Sequence, residues 1–305
     1  MPGDTRTRRT VMGVRIDLHA HTTASDGTDT PAMLIDRAVR AGLDVLALTD
    51  HDTTAGWAEA ITAAAGRITL VPGAEFSCVH VTAEGRRISM HVLGLLFDRE
   101  HEALRTERRR LRHSRELRAR RMVERLQADG YPIDWDHVTE IAAGGAVGRP
   151  HLGRALVAAG VTPTLDTAFR DLLSSRQPYY EPKEDTPVLD CVTLIRRAGG
   201  LPVFAHPFAR RRGPVVDHDV IAAMTSAGLV GIEVDHPDHD PSDRAEAADL
   251  AAQLGLVPTG SSDYHGANKT SGLGICTTTP EAYQALLSIP TARSALPPDS
   301  DGTAG

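Results

Sequence analysis

The sequence predicts an α/β fold, a (β/α) barrel of about seven units whose ring is interrupted by a helical insertion. Three observations carry that expectation. Short apolar runs alternate with amphipathic helices over residues 14–98 and again over 187–289. Residues 99–186 lose this rhythm and read as helix after helix. Several of the apolar runs hand over to His, Asp or Glu where they end, the place at which β/α barrels carry their active groups.

Taken in order, residues 1–13 form a loose leader with Arg6, Arg8 and Arg9 but no apolar stretch, so they are not a secretory signal. A strand over 14–18 ends at His19-Ala20-His21, with Asp26 shortly after. Thr30-Pro31 supplies an N-cap and a first-turn proline for a helix that runs to Gly42. A strand over 43–48 ends at Thr49-Asp50-His51-Asp52, and a helix over 57–65 leads to a strand over 68–72 with Glu75 following. The strand near 88–95 carries His91. The rhythm resumes with a helix over 188–198, a strand over 201–205 and His206-Pro207. A helix reaching Ala227, a strand over 228–234, a helix over 242–254 and a strand over 256–260 then lead to Asp263-Tyr264-His265. Such alternation implies parallel strands joined by crossover helices. Residues 290–305, with repeated Pro, Ser, Asp and Gly, read as a disordered tail.

The bulk numbers narrow the function. With 305 residues, 41% of them hydrophobic, the chain can bury a large core. A net charge of −7 excludes a global basic field drawing it to nucleic acid or anionic membranes. No apolar run reaches the ~18 residues a membrane span needs. Cys78, Cys191 and Cys276 are odd in number and far apart, which argues against a disulfide framework and for the cytoplasm.

The scattered polar motifs form one donor set: His19, His21, Asp26, His51, Glu75, His91, His206, Asp263 and His265. One ion takes roughly three or four protein ligands, so this set suits two or three divalent ions sharing a pocket. Residues i and i+2 of a strand point to one side, so His19 and His21 can grip one ion together. A carboxylate such as Glu75 can bridge ions about 3.5–4 Å apart, where a water becomes a hydroxide nucleophile. Mixed His, Asp and Glu ligation without Cys suits Mn²⁺, Fe²⁺ or Zn²⁺. Asp50 and Asp52 flank His51 and are expected to fix its imidazole.

These motifs resemble those of the PHP (polymerase and histidinol phosphatase) family. The resemblance rests on the HxH of His19 and His21, the Thr49–Asp52 motif, His206-Pro207 and the DxH of Asp263 and His265, with Asp26, Glu75 and His91 in order between them. It covers about 14–98 and 187–289, and it implies a distorted seven-stranded barrel with a trinuclear centre. One metal would take His19, His21, Glu75 and Asp263. A second would share Glu75 and add His91 and His206; a third would take Asp26, His51 and His265, with His206 and His265 able to exchange partners. The chain is most similar to the stand-alone phosphoesterase branch. That implies a metal-dependent phosphoesterase acting on 3′,5′-bisphosphonucleosides or nucleoside monophosphates, with a 5′-to-3′ exonuclease on short oligonucleotides as the alternative.

Other residues are weighed on their own chemistry. In Gly148-Arg149-Pro150-His151, Pro150 opens a helix and sets Arg149 at an anion-binding N-terminus; Arg149 is assigned to phosphate, against an ordinary exposed helix entry. His151 either orients substrate or caps the helix. Lys269 either reaches the same phosphate or is a surface lysine. Residues 105–125 carry ten Arg on one long helix; a solvated face laced with pairs such as Glu116–Arg120 is preferred to a steering wall. The loop from Asp235 to Asp240 is read as structure or substrate contact rather than a further ion site. The expected reaction is in-line attack of a metal-activated hydroxide held near Glu75, with His206 or His265 aiding the leaving oxygen. Two rivals are a catalytically silent metal-binding module, against which the full ligand set argues, and an amidohydrolase-type barrel, against which Glu75 and the Asp263-x-His265 ending argue. Nothing in the sequence points to an obligate protein partner or a membrane.

Overall fold

The computed structural model describes residues 13–297. The first half of the barrel contains β1 (Ile16–Asp17), α1 (Pro31–Arg40), β2 (Val45–Leu48), α2 (Trp57–Ala64), β3 (Thr69–Val81) and β4 (Arg87–Leu95). Helices α3 (Glu102–Ala128), α4 (Trp135–Ala142), α5 (Arg149–Ala158) and α6 (Leu165–Ala168) follow, the last running into a π turn at Phe169–Leu173. The second half holds β5 (Thr186–Pro187), α7 (Val188–Arg197), β6 (Leu201–Phe204), α8 (His218–Ser226), β7 (Gly231–Asp235), α9 (Pro241–Leu254), β8 (Val257–Gly260) and α10 (Pro280–Leu287).

Seven strands make the wall in the order β1-β2-β3-β4-β6-β7-β8, and the two-residue β5 pairs with β3 off this path. The ring is nearly closed. Beyond the ends of β1 and β8, Ala20 bridges Tyr264, with His21 N donating to the Tyr264 carbonyl at 2.8 Å. That closing bond ties the HxH segment to the DxH segment.

The expectation of parallel strands throughout is corrected at β4, which runs antiparallel to both β3 and β6. The cause is the connection. Five residues, 82–86, join β3 to β4 through a turn in which Gly85 takes a φ of +79°, and a loop that short makes a hairpin rather than a crossover. The third strand is also longer than expected, so Glu75 lies within β3 instead of after it. In the resulting ladder Ser77 stands opposite His91 and Glu75 opposite Leu93, which puts Glu75 and His91 on one face.

Strand alternation divides the core. Val45 and Ala47 of β2 pack with Ile16, Val71 and Val203, a cluster that Tyr283 and Leu286 of α10 complete. Leu46 and Leu48 point the other way, against Leu34 and Ile35 of α1 and the other outer helices. Trp57 at the start of α2 is fully enclosed and donates its Nε1–H to the Gly73 carbonyl at 2.8 Å, two residues before Glu75. Trp57→Ala is expected to destabilise the protein by about 3–5 kcal/mol in chemical denaturation, through lost burial and the cavity left behind.

Residues 290–297, read as part of a disordered tail, dock on the barrel. Leu296 exchanges backbone hydrogen bonds with Leu70, Ala292 N donates to Gly199, and Arg293 lies over the Trp57 ring. Leu296 and Ala295 each add apolar contact to the core, which the polar composition of the segment hid. The rest of the tail and nearly all of the leader lie outside the described residues.

Helices α3 to α6 share a core of their own, with Met122 and Leu126 packed against Leu152, Leu156 and Leu173. Leu104 and Leu111 of α3 join the barrel's cluster and anchor the segment. The Arg-rich helix is only partly the solvated face expected. Arg110 pairs with Glu107 and Arg120 with Glu116, but Arg108, Arg115 and Arg118 are buried on the same side as Leu104, Leu111 and Met122.

Candidate metal centre

All nine proposed ligands converge at the mouth of the barrel, and the arrangement is organised by Glu75. Its Oε1 lies 2.8 Å from His91 Nδ1 and 3.0 Å from His206 Nε2. Its Oε2 lies 3.3 Å from His19 Nε2, 3.2 Å from His21 Nε2 and 3.1 Å from His51 Nδ1. The carboxylate thus divides its two oxygens between two sets of imidazoles. Asp263 Oδ1 completes the set around His19 and His21 at 3.4 and 3.5 Å. Asp26 gathers a third, with His265 Nε2 at 3.4 Å and His51 Nε2 at 3.7 Å. His206 faces Glu75 and His91, and His265 faces Asp26 and, through Nδ1, Asp263 Oδ1 at 3.4 Å.

The donor chemistry fits divalent cations. His265 Nδ1 lies 2.9 Å from the Asp263 carbonyl, which can only accept, so the ring proton sits there. Its Nε2 lone pair then points at a carboxylate oxygen, two acceptors face to face. His19 repeats the pattern: Nδ1 meets Glu233 Oε1 at 3.0 Å, leaving Nε2 3.0 Å from His21 Nε2. His51 Nδ1 is near Glu75 but is not aligned for a hydrogen bond and has no other partner. Buried acceptors aimed at one another are costly unless a cation lies between them. Grouped by reach, His19, His21 and Glu75 could hold one ion; His51, Glu75 and His91 another; His21, Asp26, His51 and His265 a third. His51 offers one nitrogen to each of the last two, and a neutral imidazole has a single lone pair, so it can serve only one.

Electrostatics agree. Burial pushes the Glu75 carboxyl up, but His51, His91 and His19 hold it well below the usual carboxylate range. Asp263 is likewise raised by burial and drawn far down by Lys269, His19 and Arg212. Two of the proposed ligands sit in left-handed backbone, His206 at φ +34° and Asp263 at φ +49°. Such strain at β-strand ends aims side chains that a regular turn would not.

The PHP domain model matches residues 17–139. The 5′-3′ exoribonuclease Rnm of Salmonella typhimurium is 34% identical over 252 residues, spanning 82% of this chain and 84% of its own. The 3′,5′-nucleoside bisphosphate phosphatase of Chromobacterium violaceum is 36% identical over 257 residues, with 82% and 87% covered. The chain belongs to the PHP family. A crystal structure of a candidate metal-dependent phosphoesterase from Bifidobacterium adolescentis superposes with a TM-score of 0.86 at 35% identity, covering 92% of this chain and 97% of that one. The PHP barrel described here is therefore that of a metal-dependent phosphoesterase.

Around the PHP centre, several residues differ from expectation. Asp50 and Asp52 do not touch the His51 ring. Asp50 accepts from Thr22 N, Thr22 Oγ1 and Ser25 Oγ, each at 2.7 Å, and so holds the loop after His21. Asp52 accepts from Ser77 N at 2.8 Å and from Arg115 Nε at 2.5 Å. His151 accepts from Gly148 N at 3.0 Å, so its Nδ1 caps α5 rather than facing a ligand. Lys269 is no free surface lysine: Nζ lies 2.5 Å from Asp263 Oδ2. Arg149 stands over the rings of Phe169 and Tyr180 at 5.5 and 5.6 Å and lines a cavity of about 350 Å³ together with Asp26, His51 and His91. In the 235–240 loop, His236 Nδ1 accepts from Asp238 N and Asp240 caps α9, while His236 Nε2 lies 3.4 Å from Asp263 Oδ2.

Two residues that sequence reasoning missed support the centre. Glu233 of β7 takes His19 Nδ1 on Oε1 and accepts from His206 N on Oε2 at 2.7 Å, with Ser261 Oγ bonded to Oε1. Its signal was a lone carboxylate inside the otherwise apolar run Gly228-Leu229-Val230-Gly231-Ile232-Glu233-Val234. Arg212 donates to Asp263 Oδ2 at 2.7 Å, and nothing in its Arg210-Arg211-Arg212 run marked it. Glu233→Gln is expected to weaken metal binding about 10–100-fold, read by competition with a chromogenic chelator, because it removes the charge that orients and polarises His19.

Proposed function

We propose that this protein hydrolyses phosphate monoesters of small phosphorylated nucleotides, 3′,5′-bisphosphonucleosides or nucleoside monophosphates. The observation that carries the reading is Glu75 dividing its two oxygens between separate imidazole sets, as a carboxylate shared by two ions must. His19, His21 and Asp263 would hold one ion, His91 and His206 a second, and Asp26, His51 and His265 a third, with Glu75 shared. Mn²⁺, Fe²⁺ or Zn²⁺ on this Cys-free donor set would, when bound, supply charge neutralisation at phosphoryl oxygens and a more acidic water.

The chain's own residues do the rest. Glu75 fixes the point of attack between the two sets. Asp263 is kept anionic by Lys269 and Arg212, so its Oδ1 stays available to the centre. Burial and then Arg212 bring the His206 pKa to about 3, so His206 has no proton to give at neutral pH. His265 has its ring proton engaged by a carbonyl. We therefore assign both to ion binding rather than to proton delivery. Arg149, in the adjoining cavity, is the substrate contact we retain; the cavity is in the size range of small-molecule sites. Residues 99–186 act as a helical insertion narrowing the mouth of the barrel made by 14–98 and 187–289. The three buried free thiols support a cytoplasmic setting, and no helix among the described residues is long and apolar enough to cross a membrane.

A second reading, a 5′-to-3′ exonuclease on short oligonucleotides, draws on the similarity to the Salmonella exoribonuclease. The test is phosphate release by Mn²⁺-loaded protein from nucleoside monophosphates, 3′,5′-bisphosphates and short 5′-phosphorylated RNAs, with His19→Ala alongside. Release from mononucleotides that vanishes in the variant is expected. Stepwise release of 5′ nucleotides from RNA with mononucleotides spared would favour the exonuclease, and silence across the panel with ions bound would overturn both.

A further inference from the structure

The barrel wall has a seam where its two ends meet. β1 and β8 stand at opposite ends of the strand order and share no ladder among the described residues. The proposed ligands straddle this gap, with His19, His21 and Asp26 following β1 and with Asp263 and His265 following β8. The set that includes Asp26, His51 and His265 draws on both sides at once. An ion in that set is held only as firmly as the two loops are held to each other.

Tyr264 stands between Asp263 and His265, and its hydroxyl donates to Asp29 Oδ2 at 2.6 Å across the seam. The same oxygen takes Arg37 Nε at 2.7 Å, so the carboxylate is compensated where it lies. Asp29 is 3% exposed and immediately precedes Thr30, whose side chain accepts from Met33 N and caps α1. Leu34 and Ile35 fix that helix in the core, so Tyr264 is tied to a rigid element and not to a loose loop. Two further hydrogen bonds join the loops: Ala267 N donates to Thr28 Oγ1 at 2.8 Å and Asn268 Nδ2 to the Asp26 carbonyl at 2.7 Å. Of the three, that of Tyr264 with Asp29 alone is buried, and its acceptor is a carboxylate, which makes it the strongest. Asp263 beside it sits at φ +49°, a conformation its surroundings must hold.

We infer that Asp29, acting through Tyr264, is a positioning residue for the ion held by Asp26, His51 and His265. Its carboxylate meets Tyr264 and Arg37 and none of the proposed ligands among the described residues. What it sets is the approach of the two loops, which places His265 Nε2 3.4 Å from Asp26 Oδ1. The inference rests on the ion-centre reading above and adds that one ion depends on a contact outside the donor set.

The experiment titrates Mn²⁺ into the metal-stripped full chain by calorimetry, with native mass spectrometry counting the ions, for wild type, Tyr264→Phe, Asp29→Ala and Asp29→Asn. Tyr264→Phe and Asp29→Ala are expected to weaken one ion about 10- to 100-fold and to leave the others within about twofold. Asp29→Asn keeps an oxygen that accepts from Tyr264 and is expected to recover most of the loss. His265→Ala removes a donor of that ion directly, so adding Tyr264→Phe to it is expected to change ion binding no further. Circular dichroism verifies the fold, and Tyr264→Phe, which deletes a single oxygen, carries the test should Asp29→Ala fail to fold. Folded variants that keep every ion at wild-type affinity overturn the inference. So does a loss spread evenly over all the ions, the mark of a bond that serves stability alone. A loss that Tyr264→Phe repeats in full on top of His265→Ala, or His265→Ala binding as many ions as the wild type, overturns it too. A wild-type chain that binds no ion brings down the ion-centre reading itself, and the inference with it.

Discussion

Glu75→Ala is expected to lower phosphate release by at least ~10³-fold while the protein stays folded. The size follows from what one side chain does at this position. Both of its oxygens are engaged, Oε1 toward His91 and His206 and Oε2 toward His19, His21 and His51. Removing it deletes a ligand from two ion sites at once and leaves five imidazoles without the anion they share. Glu75→Gln is expected to do nearly as badly, since an amide keeps one neutral acceptor oxygen but turns the other position into an NH2 that cannot ligate a cation. Steady-state phosphate release with saturating Mn²⁺ measures the effect. A variant within about tenfold of wild type would mean that Glu75 does not bridge.

Arg115→Met is expected to destabilise the protein by about 3–5 kcal/mol, read from urea denaturation midpoints. Arg115 and Asp52 form an enclosed pair at 2.5 Å, and Asp52 otherwise accepts only from Ser77. Burial raises the Asp52 carboxyl, and Arg115 then Lys183 bring it below its usual value. Without Arg115 a buried carboxylate loses its closest compensating charge. Adding Asp52→Asn to the variant is expected to recover much of the loss, since an amide carries no charge and Asn tolerates the left-handed backbone found there, φ +54°. A loss below about 1 kcal/mol in the single variant would put the pair in the class of exposed surface bridges.

What the sequence revealed and what it concealed follow from the range of each signal. Alternation of apolar runs and helices is local, so α1, β2, α2, α7, β6, α9 and β8 are legible almost residue by residue. The ligands are legible for a related reason: His19, His51, His206 and His265 stand at or just beyond strand ends, and strand ends are local features. The direction of β4 was not, because the five-residue turn at 82–86 reads as an interruption until the ladder from Gly73 to Val81 is seen. Buried charges were least legible. Arg115 and Arg118 sit among surface arginines on one helix, and only the spacing from Leu104 and Leu111 to Met122 betrays the inward side. Glu233 and Arg212 act through partners far away in sequence. The docking of Leu296 on Leu70 depends on a few apolar residues in a segment that is otherwise polar and proline-bearing.

One buried carboxylate, Glu75, is placed to join separate ion sites at the barrel mouth. Divalent-ion stoichiometry measures it most directly, by native mass spectrometry of the full chain loaded with Mn²⁺, wild type beside Glu75→Ala. Roughly two or three ions per wild-type chain and the loss of at least one in the variant are expected. A wild-type chain that takes up no ion, or a variant that holds as many as the wild type, would contradict it.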